Sequence, residues 1–554
     1  MQTKKIEDMS KEELVDLVKQ LKKRKKYGLV WEEKPEDVVE QCKNELPVLE
    51  EVQDRAIIKD KDQSVNLIIE GDNYHALSVL NYTHAGKIDV IYIDPPFNTG
   101  AKDWKYNNNY VDITDGYRHS KWLSMMSNRL RITKNLLKDD GVLICAIDEN
   151  EFYRLGLLIE EIFNDFEIHC ITIVHNPRGI QGKNFSYTHE YAFFIFRKGL
   201  QVIGPRKIRT DDIDWRNLRD NGGESLRTDA KNCFYPIIIK DDNIVGFGDI
   251  VPNDVHPETQ TKKNGQYFYV YPIDRNKIER KWRYARQSVE NVKNLLRARK
   301  TKTGYEIDIG KDFGTVRTVW QDSRYDSNEY GTKLVHALVP SSHFDFPKSV
   351  FNTYDCIAPI IYNKKNAIVL DYFAGSGTTG HAVMLINKED GGNRQFILCT
   401  NNENDIAEEV CYPRIMKVIE GVDDYPDITG ITANLRYFKT SFVSKFKVSD
   451  DTRWELLKRS TEMICIRENT FNKVIDDFGY KIYQDTKHTT GILFDLDELE
   501  IFKEKIRERK LPANIYVFSL TNDAFNEDFE DLGLEHQLCP IPESILEVYR
   551  KLFK

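Results

Sequence analysis

Six short apolar runs constrain this chain more than anything else in it, because each ends in a turn and segments of helical periodicity lie between them. VNLIIEGDNYHALSVL (65–80) reads as a buried strand, a turn and a helix, and KIDVIYIDPPFNTG (87–100) as a second buried strand entering a proline-rich loop. LLKDDGVLICAID (136–148) and EYAFFIFRKG (190–199) add strands, with HSKWLSMMSNRLRITKNLL and EFYRLGLLIEEIF as helical segments between them. NAIVLDYFAGSGTTGHAVMLIN (366–387) is strand, glycine loop and helix, and RQFILCT (394–400) is another strand. Strands that are apolar throughout are buried on both faces, which is the pattern of a parallel sheet covered by helices. The expected fold class is therefore α/β.

The alternation stops at about residue 200, where polar, turn-rich stretches such as RDNGGESLRTDAKN and VPNDVHPETQTKKNG take over, and it returns near 336. The expected organisation is an N-terminal helical arm at 1–60, a first α/β part at 61–199, an inserted irregular domain at 200–335, a second α/β part at 336–430 and a C-terminal domain or assembly element at 431–554. In the arm, Ser10 and Glu13 fit a capping box, and Leu14, Leu17, Val18 and Leu21 share a helical face, so 10–26 is expected to be an amphipathic helix ending in KKRKK. That basic end is either a solvated surface or a contact for DNA or a partner. No apolar run approaches the roughly 18 to 20 residues of a membrane span, and the first residues lack a signal-peptide core, so a cytoplasmic protein is expected. The nine cysteines contain no C-x-x-C pair, which argues for reduced thiols and against a structural zinc site.

A formal charge of -9 does not advertise a nucleic-acid binder. Net charge describes the whole surface, however, and residues 275–302 are densely basic, with only Glu279 and Glu290 as acids. Arg280, Lys281, Arg283, Arg286, Arg297 and Arg299 are the candidate DNA contacts, to phosphates above all, and a solvated helix face is the alternative.

Two motifs bear on chemistry. Gly375, Gly377 and Gly380 have G-x-G-x-x-G spacing, which by itself says only that a strand turns tightly into a helix and lets a ligand approach the backbone. His381 stands where a phosphate-binding loop would carry lysine, and no G-x-x-x-x-G-K-[ST] occurs, so ATP hydrolysis is not expected of this chain. The second motif, Asp94-Pro95-Pro96-Phe97, closes a buried strand with an acid, two rigid residues with bare carbonyls, and a flat apolar ring. Such a pocket suits a planar amine.

With this motif first, the polar insert next and the glycine loop last, the chain resembles the amino-group DNA methyltransferases that use S-adenosylmethionine, in their circularly permuted β class. Within that class IYIDPPFNTG, VWQDSRYDSNEYGTKL (319–334), FDFPKSV (344–350), ANLRYFKT (433–440) and IPESILEVYRKLF (541–553) resemble modification subunits of type III restriction-modification systems. The resemblance implies a circularly permuted, Rossmann-like methyltransferase sheet with an inserted target-recognition domain and terminal extensions. It implies a site-specific DNA adenine N6-methyltransferase acting on double-stranded DNA by base flipping, a homodimer, and a separate restriction subunit with helicase and nuclease activities. Cytosine N4 as target, a solitary methyltransferase without a restriction partner, and a specificity subunit that has lost catalysis are the alternatives.

Residue by residue, the Asp94 carboxylate and the Pro95 carbonyl would take the two N–H groups of the target amine, with Pro96 stiffening the loop and Phe97 stacking on the base. Asp371 would pair with the methionine ammonium of the cofactor, Phe373, Gly375 and Gly377 would line it, and Thr378 would bond its polar end. Asp72 is either an adenine contact or a plain helix N-cap. Asn402 or Glu403 would bind the ribose. Phe346 and Lys348 lie in a segment that closes over the methionine end, where Lys348 would neutralise the carboxylate. Tyr117 and Trp122 are either stacking partners or core aromatics. The expected chemistry needs no metal.

Overall fold

A computed structural model describes residues 10–11, 14–15, 29–61, 63–181, 184–208, 213–342, 344, 346–422, 429–445, 449–519 and 523–553. The basic helix expected over 10–26 lies mostly outside them.

Ten strands make one sheet: β1 (Glu45–Glu51), β2 (Val65–Glu70), β3 (Ile88–Ile93), β4 (Leu137–Ile147), β5 (Phe166–Val174), β6 (His189–Arg197), β7 (Val319–Trp320), β8 (Ile368–Asp371), β9 (Gln395–Thr400) and β10 (Asn434–Ser444). Their spatial order is β1-β10-β2-β9-β8-β3-β4-β6-β5-β7. From β10 to β4 every neighbouring pair is parallel, whereas β6 runs antiparallel to both β4 and β5. The helices that matter to the site are α1 (Asn73–Thr83), α2 (Arg118–Thr133), α3 (Phe152–Ile162), α4 (Val350–Ile361), α5 (Thr378–Asp390) and α6 (Tyr412–Glu420).

The central strand β3, IDVIYI, is buried at all six positions, as a strand covered on both faces must be. Ile88, Ile91 and Ile93 join a core that includes Leu77 and Leu80 of α1, Leu123 and Leu130 of α2, and Leu155 and Leu158 of α3. Asp89, in the same strand, is buried and satisfied, since Oδ2 accepts from the Ile368 N–H (3.0 Å) and from Lys138 (2.7 Å).

Chain order and sheet order part company at β8. Leaving β8 the chain passes to β9 on one side, and leaving β3 it passes to β4 on the other, so the carboxyl ends of β8 and β3 flank a topological switch point. Leu370 pairs with Ile91, which sets Asp371 and Asp94 side by side although 277 positions (371 minus 94) separate them in the chain.

The chain divides into two compact units, 1–203 together with 317–554, and 204–316. The insert thus closes earlier than the polar sequence suggested, because β7 pairs with β5 and draws 317–335 into the larger unit. The terminal extensions also contribute to the large sheet: β1 comes from within 1–60 and β10 from beyond residue 430. A separate five-stranded sheet follows, with strands Lys473–Asp476, Tyr480–Gln484, Thr489–Leu493, Ala513–Phe518 and His536–Ile541 in that order.

Unit 204–316 has its own core of Tyr235, Ile237, Ile239, Trp282, Val289 and Ile307. It carries a four-stranded antiparallel sheet (Asn243–Phe247, Ile237–Lys240, Tyr267–Val270, Thr261–Asn264) and a three-stranded one (Arg216–Asn217, Gly304–Ile309, Leu296–Thr301). Among the described residues no helix is long and apolar enough to cross a membrane.

Candidate active site

The carboxyl edge of the parallel strands gathers the acids. Asp371 ends β8, Asp94 follows β3, Asp148 follows β4 and Asp72 follows β2. Because β6 is antiparallel to β4, its beginning lies at this same edge, with Tyr191 paired to Ile147, and so Glu190 joins the group.

The Asp94 loop is held rigid from behind. Trp122, fully buried on α2, donates from Nε1 to the Pro96 carbonyl at 2.7 Å. Asn98 takes a left-handed φ of 58° and is fully buried. Its Nδ2 donates to Glu151 Oε1 (2.5 Å), while its Oδ1 accepts from Trp104 Nε1 (3.1 Å). Glu151, itself fully buried, also pairs with His119 Nδ1 at 2.5 Å. Among the described residues none donates to the Pro95 carbonyl. Trp122 is thus a core donor, and Tyr117 is 53 % exposed with the Lys34 ammonium 3.5 Å from its ring centroid.

Asp94 itself faces an unexpected cation. Lys348 Nζ lies 3.3 Å from Asp94 Oδ1, binds Glu190 Oε2, and sits 4.5 Å from the centroid of the Phe97 ring. Glu190 accepts in addition from Asn352 Nδ2 (2.7 Å) and has His175 Nδ1 at 4.0 Å. Burial pushes the Asp94 carboxyl up to about 6 against the pull of Lys348, with the Glu190 charge adding to the rise. Burial likewise lifts Asp148 to about 6, against bonds from Asn150. Burial would raise Glu190 too, but Lys348, His175 and Asn352 together outweigh it and hold that carboxyl below its usual range. Burial would lower Lys348, and the two carboxylates reverse this and raise it. Lys348, expected to neutralise the cofactor carboxylate, is found here beside the half-buried Asp94 and the buried Glu190. Phe346 does not cover the site, being 87 % exposed with a φ of 55°. Phe344, two residues earlier, is the ring beside the glycine loop, since a Cβ on Gly375 would meet its Cζ at 3.2 Å.

The loop after β8 is shaped by Asp371, whose Oδ1 accepts from the Phe373 N–H (2.9 Å) and whose Oδ2 accepts from Thr379 Oγ1 (2.6 Å). Burial lifts its carboxyl to about 7 against those bonds, with Asp94 adding to the rise. Gly375 and Gly377 have φ of 49° and 79°, conformations that a side chain strains. A Cβ on Gly377 would meet Cys411 Sγ at 3.1 Å and Ile415 Cγ1 at 3.4 Å, so this glycine serves packing against the following helical segment. Thr378 is turned to a structural duty as well: its Oγ1 accepts from Arg414 Nη1 at 2.8 Å, which also reaches Ser376 Oγ at 2.9 Å. Arg414 is fully buried with no carboxylate among its bonds to the described residues, and burial lowers its guanidinium to about 10.

Three other candidates are already engaged. Asp72 caps α1, accepting from the Tyr74 N–H at 2.7 Å, and pairs with the buried Arg129 at 3.2 Å. Its side chain remains 32 % exposed, so the N-cap reading holds and access is kept. Asn402 Oδ1 accepts from the Ala407 and Glu408 N–H groups (3.1 and 3.2 Å), which makes it a helix cap. Glu403 pairs with Lys105 at 2.5 Å. The residues at this edge fit S-adenosylmethionine: a turn with two left-handed glycines offers close backbone approach beside a strand-end carboxylate, at the switch point, with Asp72 opening on the same edge.

Sequence reasoning missed Asn98, Glu151, Asp148, Glu190, Phe344 and Arg414. Glu190 carried a signal, an acid at the head of the apolar run EYAFFIF; the partner of Asn98 carried none.

In unit 204–316 the basic run is divided in use. Arg280 binds Asp274 (2.9 Å) and Ser225 (2.8 Å), and Arg286 binds the carbonyls of Gly248 (2.7 Å) and Phe247 (3.0 Å), so both serve the unit's own fold. Arg297 and Arg299 share Asp308 (3.4 and 2.8 Å) yet remain 44 and 48 % exposed. Arg283 is exposed and Lys281 half-buried, and Lys262 and Lys263 project from a neighbouring strand.

The α/β sheet thus sets the Asp-Pro-Pro-Phe loop beside a glycine loop at its switch point, the arrangement of a methyltransferase. A family model described as DNA methylase matches residues 88–410, and the chain belongs to this family of S-adenosylmethionine-dependent DNA methyltransferases. Among the relatives, the type II methyltransferase M.KpnI of Klebsiella pneumoniae is 30% identical over 393 residues, covering 66% of this chain and 90% of that one. The EcoPI Mod subunit, a type III restriction-modification enzyme subunit of Escherichia phage P1, is 27% identical over 492 residues, covering 79% of this chain and 69% of that one. The solved M1.HpyAVI–SAM complex is 14% identical at a TM-score of 0.30, covering 63% of this chain and 98% of that one.

Proposed function

We propose that this chain transfers a methyl group from S-adenosylmethionine to the N6 amine of adenine in double-stranded DNA, as the modification and recognition subunit of a type III restriction-modification system. The observation that carries the chemistry is the placement of Asp94 and the open Pro95 carbonyl beside the Asp371 loop, on adjacent strand ends. An exocyclic amine is a poor nucleophile because its lone pair is delocalised into the ring. The Asp94 carboxylate and the Pro95 carbonyl accept its two N–H bonds and draw the nitrogen towards sp³ character, while Phe97 stacks on the base. The cofactor, when bound, supplies an electrophilic methyl group on a sulfonium. Glu151, Asn98 and Trp122 keep the acceptors preorganised, so little reorganisation is needed at the moment of reaction. Flipping the base out of the duplex costs a few kcal/mol, which the pocket contacts offset.

The chain is similar to Mod subunits of type III restriction-modification enzymes over most of its length; on that resemblance we propose adenine as the target over cytosine, a homodimer, and a restriction subunit with helicase and nuclease activities as partner. In unit 204–316, Arg283, Arg297, Arg299, Lys262 and Lys263 are proposed to hold DNA phosphates, with Lys281 beside them. Digesting DNA methylated by the purified chain to nucleosides tests the target: N6-methyladenine supports the reading, and N4-methylcytosine in its place replaces it.

A further inference from the structure

The amine-acceptor geometry leaves one pocket residue over. Lys348 Nζ lies 3.3 Å from Asp94 Oδ1 and over the face of Phe97, 4.5 Å from the ring centroid. A donor nitrogen within reach of that carboxylate and above that ring stands where a target amine has to be. The same ammonium touches Glu190 Oε2, and Glu190 is anchored by Asn352 at 2.7 Å at the head of β6. One cation is therefore shared between two carboxylates, one that the proposed reaction needs and one that it does not.

We propose that Lys348 is a positioning residue that fills the amine site of the base-free pocket as a tethered surrogate for the target amine, and shifts wholly onto Glu190 when the base is admitted. This rests on the reading of Asp94 as the acceptor of the target amine. The shift frees Asp94 Oδ1 for the base while keeping a positive charge in the pocket, so the carboxylate stays ionised as it is unmasked. Glu190 supplies the second berth; without it the ammonium would have Asp94 alone. Among the described residues, the charged and titratable groups facing Asp94 are Lys348 from the segment before α4, Glu190 from β6, Asp148 after β4, Asp371 at the end of β8, Tyr92 within β3 and Cys145 within β4, with His175 beyond Glu190; burial holds the Tyr92 hydroxyl and the Cys145 thiol protonated well above the range of the assay. Burial lifts Asp94 and Lys348 opposes the lift. A nearby opposite charge is worth about 1 to 3 pH units to a carboxyl group.

The test is single-turnover methylation of unmethylated plasmid DNA by the whole chain across the pH range, at saturating S-adenosylmethionine so that Asp371 does not enter the profile through cofactor binding. Wild type is compared with K348M, K348R and E190Q, and cofactor titration of each variant confirms that it is folded. K348M is expected to move the acid limb up by about 1 to 3 pH units, to recover rate at alkaline pH and to lower KM for DNA, whereas K348R keeps the limb in place. E190Q is expected to act oppositely, moving the limb down and raising KM for DNA at unchanged cofactor affinity. A K348M enzyme that is slow at every pH with its limb unmoved, or an E190Q enzyme with limb and KM unaltered, overturns the inference. A wild type that binds cofactor and methylates no DNA fails the underlying reading instead.

Discussion

Replacing Asp371 with asparagine should make the protein more stable at neutral pH and worse at holding its cofactor. The side chain is 3% exposed, and burial lifts its carboxyl from the ordinary 3.8 to about 7. In the unfolded chain the group ionises near 3.8, whereas the folded protein keeps the proton until about pH 7. Stability contributed by this group is therefore complete below 3.8, falls as pH rises through the window to about 7, and is absent above it, where folding must bury a charge. At about 1.4 kcal/mol per pH unit the window is worth about 4 kcal/mol. Asparagine keeps an oxygen for the Phe373 N–H and an amide beside Thr379, and carries no charge. The variant should accordingly exceed wild type by on the order of 1 to 4 kcal/mol near pH 8 and match it near pH 4. In return it loses the charge proposed to pair with the methionine ammonium; a charge-assisted bond of about 1.5 to 3 kcal/mol corresponds to a roughly 10- to 150-fold weaker Kd. Urea midpoints of both proteins at the two pH values, with calorimetric titration of S-adenosylmethionine, measure both effects. A difference in midpoint that does not grow with pH refutes the buried-charge account, and an unchanged Kd removes Asp371 from the ammonium site.

Asp94→Ala should retain cofactor binding and lose methyl transfer by at least about 10²- to 10³-fold, the usual effect of deleting one preorganised transition-state contact; near-normal single-turnover rates would sink the assignment. Gly377→Val should act through packing, because its Cβ would lie 3.1 Å from Cys411 Sγ at a φ of 79°. Strain of about 1 to 2 kcal/mol and crowding of about 1 to 3 kcal/mol should lower the urea midpoint. Adding Cys411→Ala should restore only the crowding part, and no recovery at all would contradict this geometry. Replacing Arg297 and Arg299 by Gln should weaken binding to specific and random duplexes alike and flatten the salt dependence by about 0.9 per lost phosphate contact, seen in plots of log K against log salt. If random binding holds while the preferred site is lost, these arginines read bases instead. The purified chain should methylate plasmid DNA without hydrolysing ATP or cutting it, and ATP-dependent cleavage by this chain alone would contradict the proposed role as a modification subunit.

Much of the architecture was legible because it is written locally. Apolar runs such as IDVIYI declare strands buried on both faces, and Gly375 and Gly377 declare a turn that only glycine enters without strain. The Asp-Pro-Pro-Phe stretch declares a rigid pocket wall in four consecutive residues. The insert boundary was less legible, because the polar stretch 317–335 reads as loop until β7 is seen pairing with β5. β1 and β10 were placed in flanking extensions for the same reason: sheet edges are chosen by partners that lie far away in the chain.

Roles within the site divide along the same line. Residue types and motif order by themselves determined the chemistry to expect, an acid and bare carbonyls for a planar amine beside a backbone cradle for a cofactor. Only the tertiary structure decided which side chains are free to do it. Thr378 and Asn402 are taken up in the fold itself, Asp371 shapes its own loop, and Lys348 is drawn onto Asp94 and Glu190. The physical reason is that a buried charge or donor must find a partner wherever the fold brings one within reach. Lys348 and Glu190 meet because an antiparallel strand begins at the edge where the parallel strands end, and nothing in the local sequence around either residue encodes that meeting.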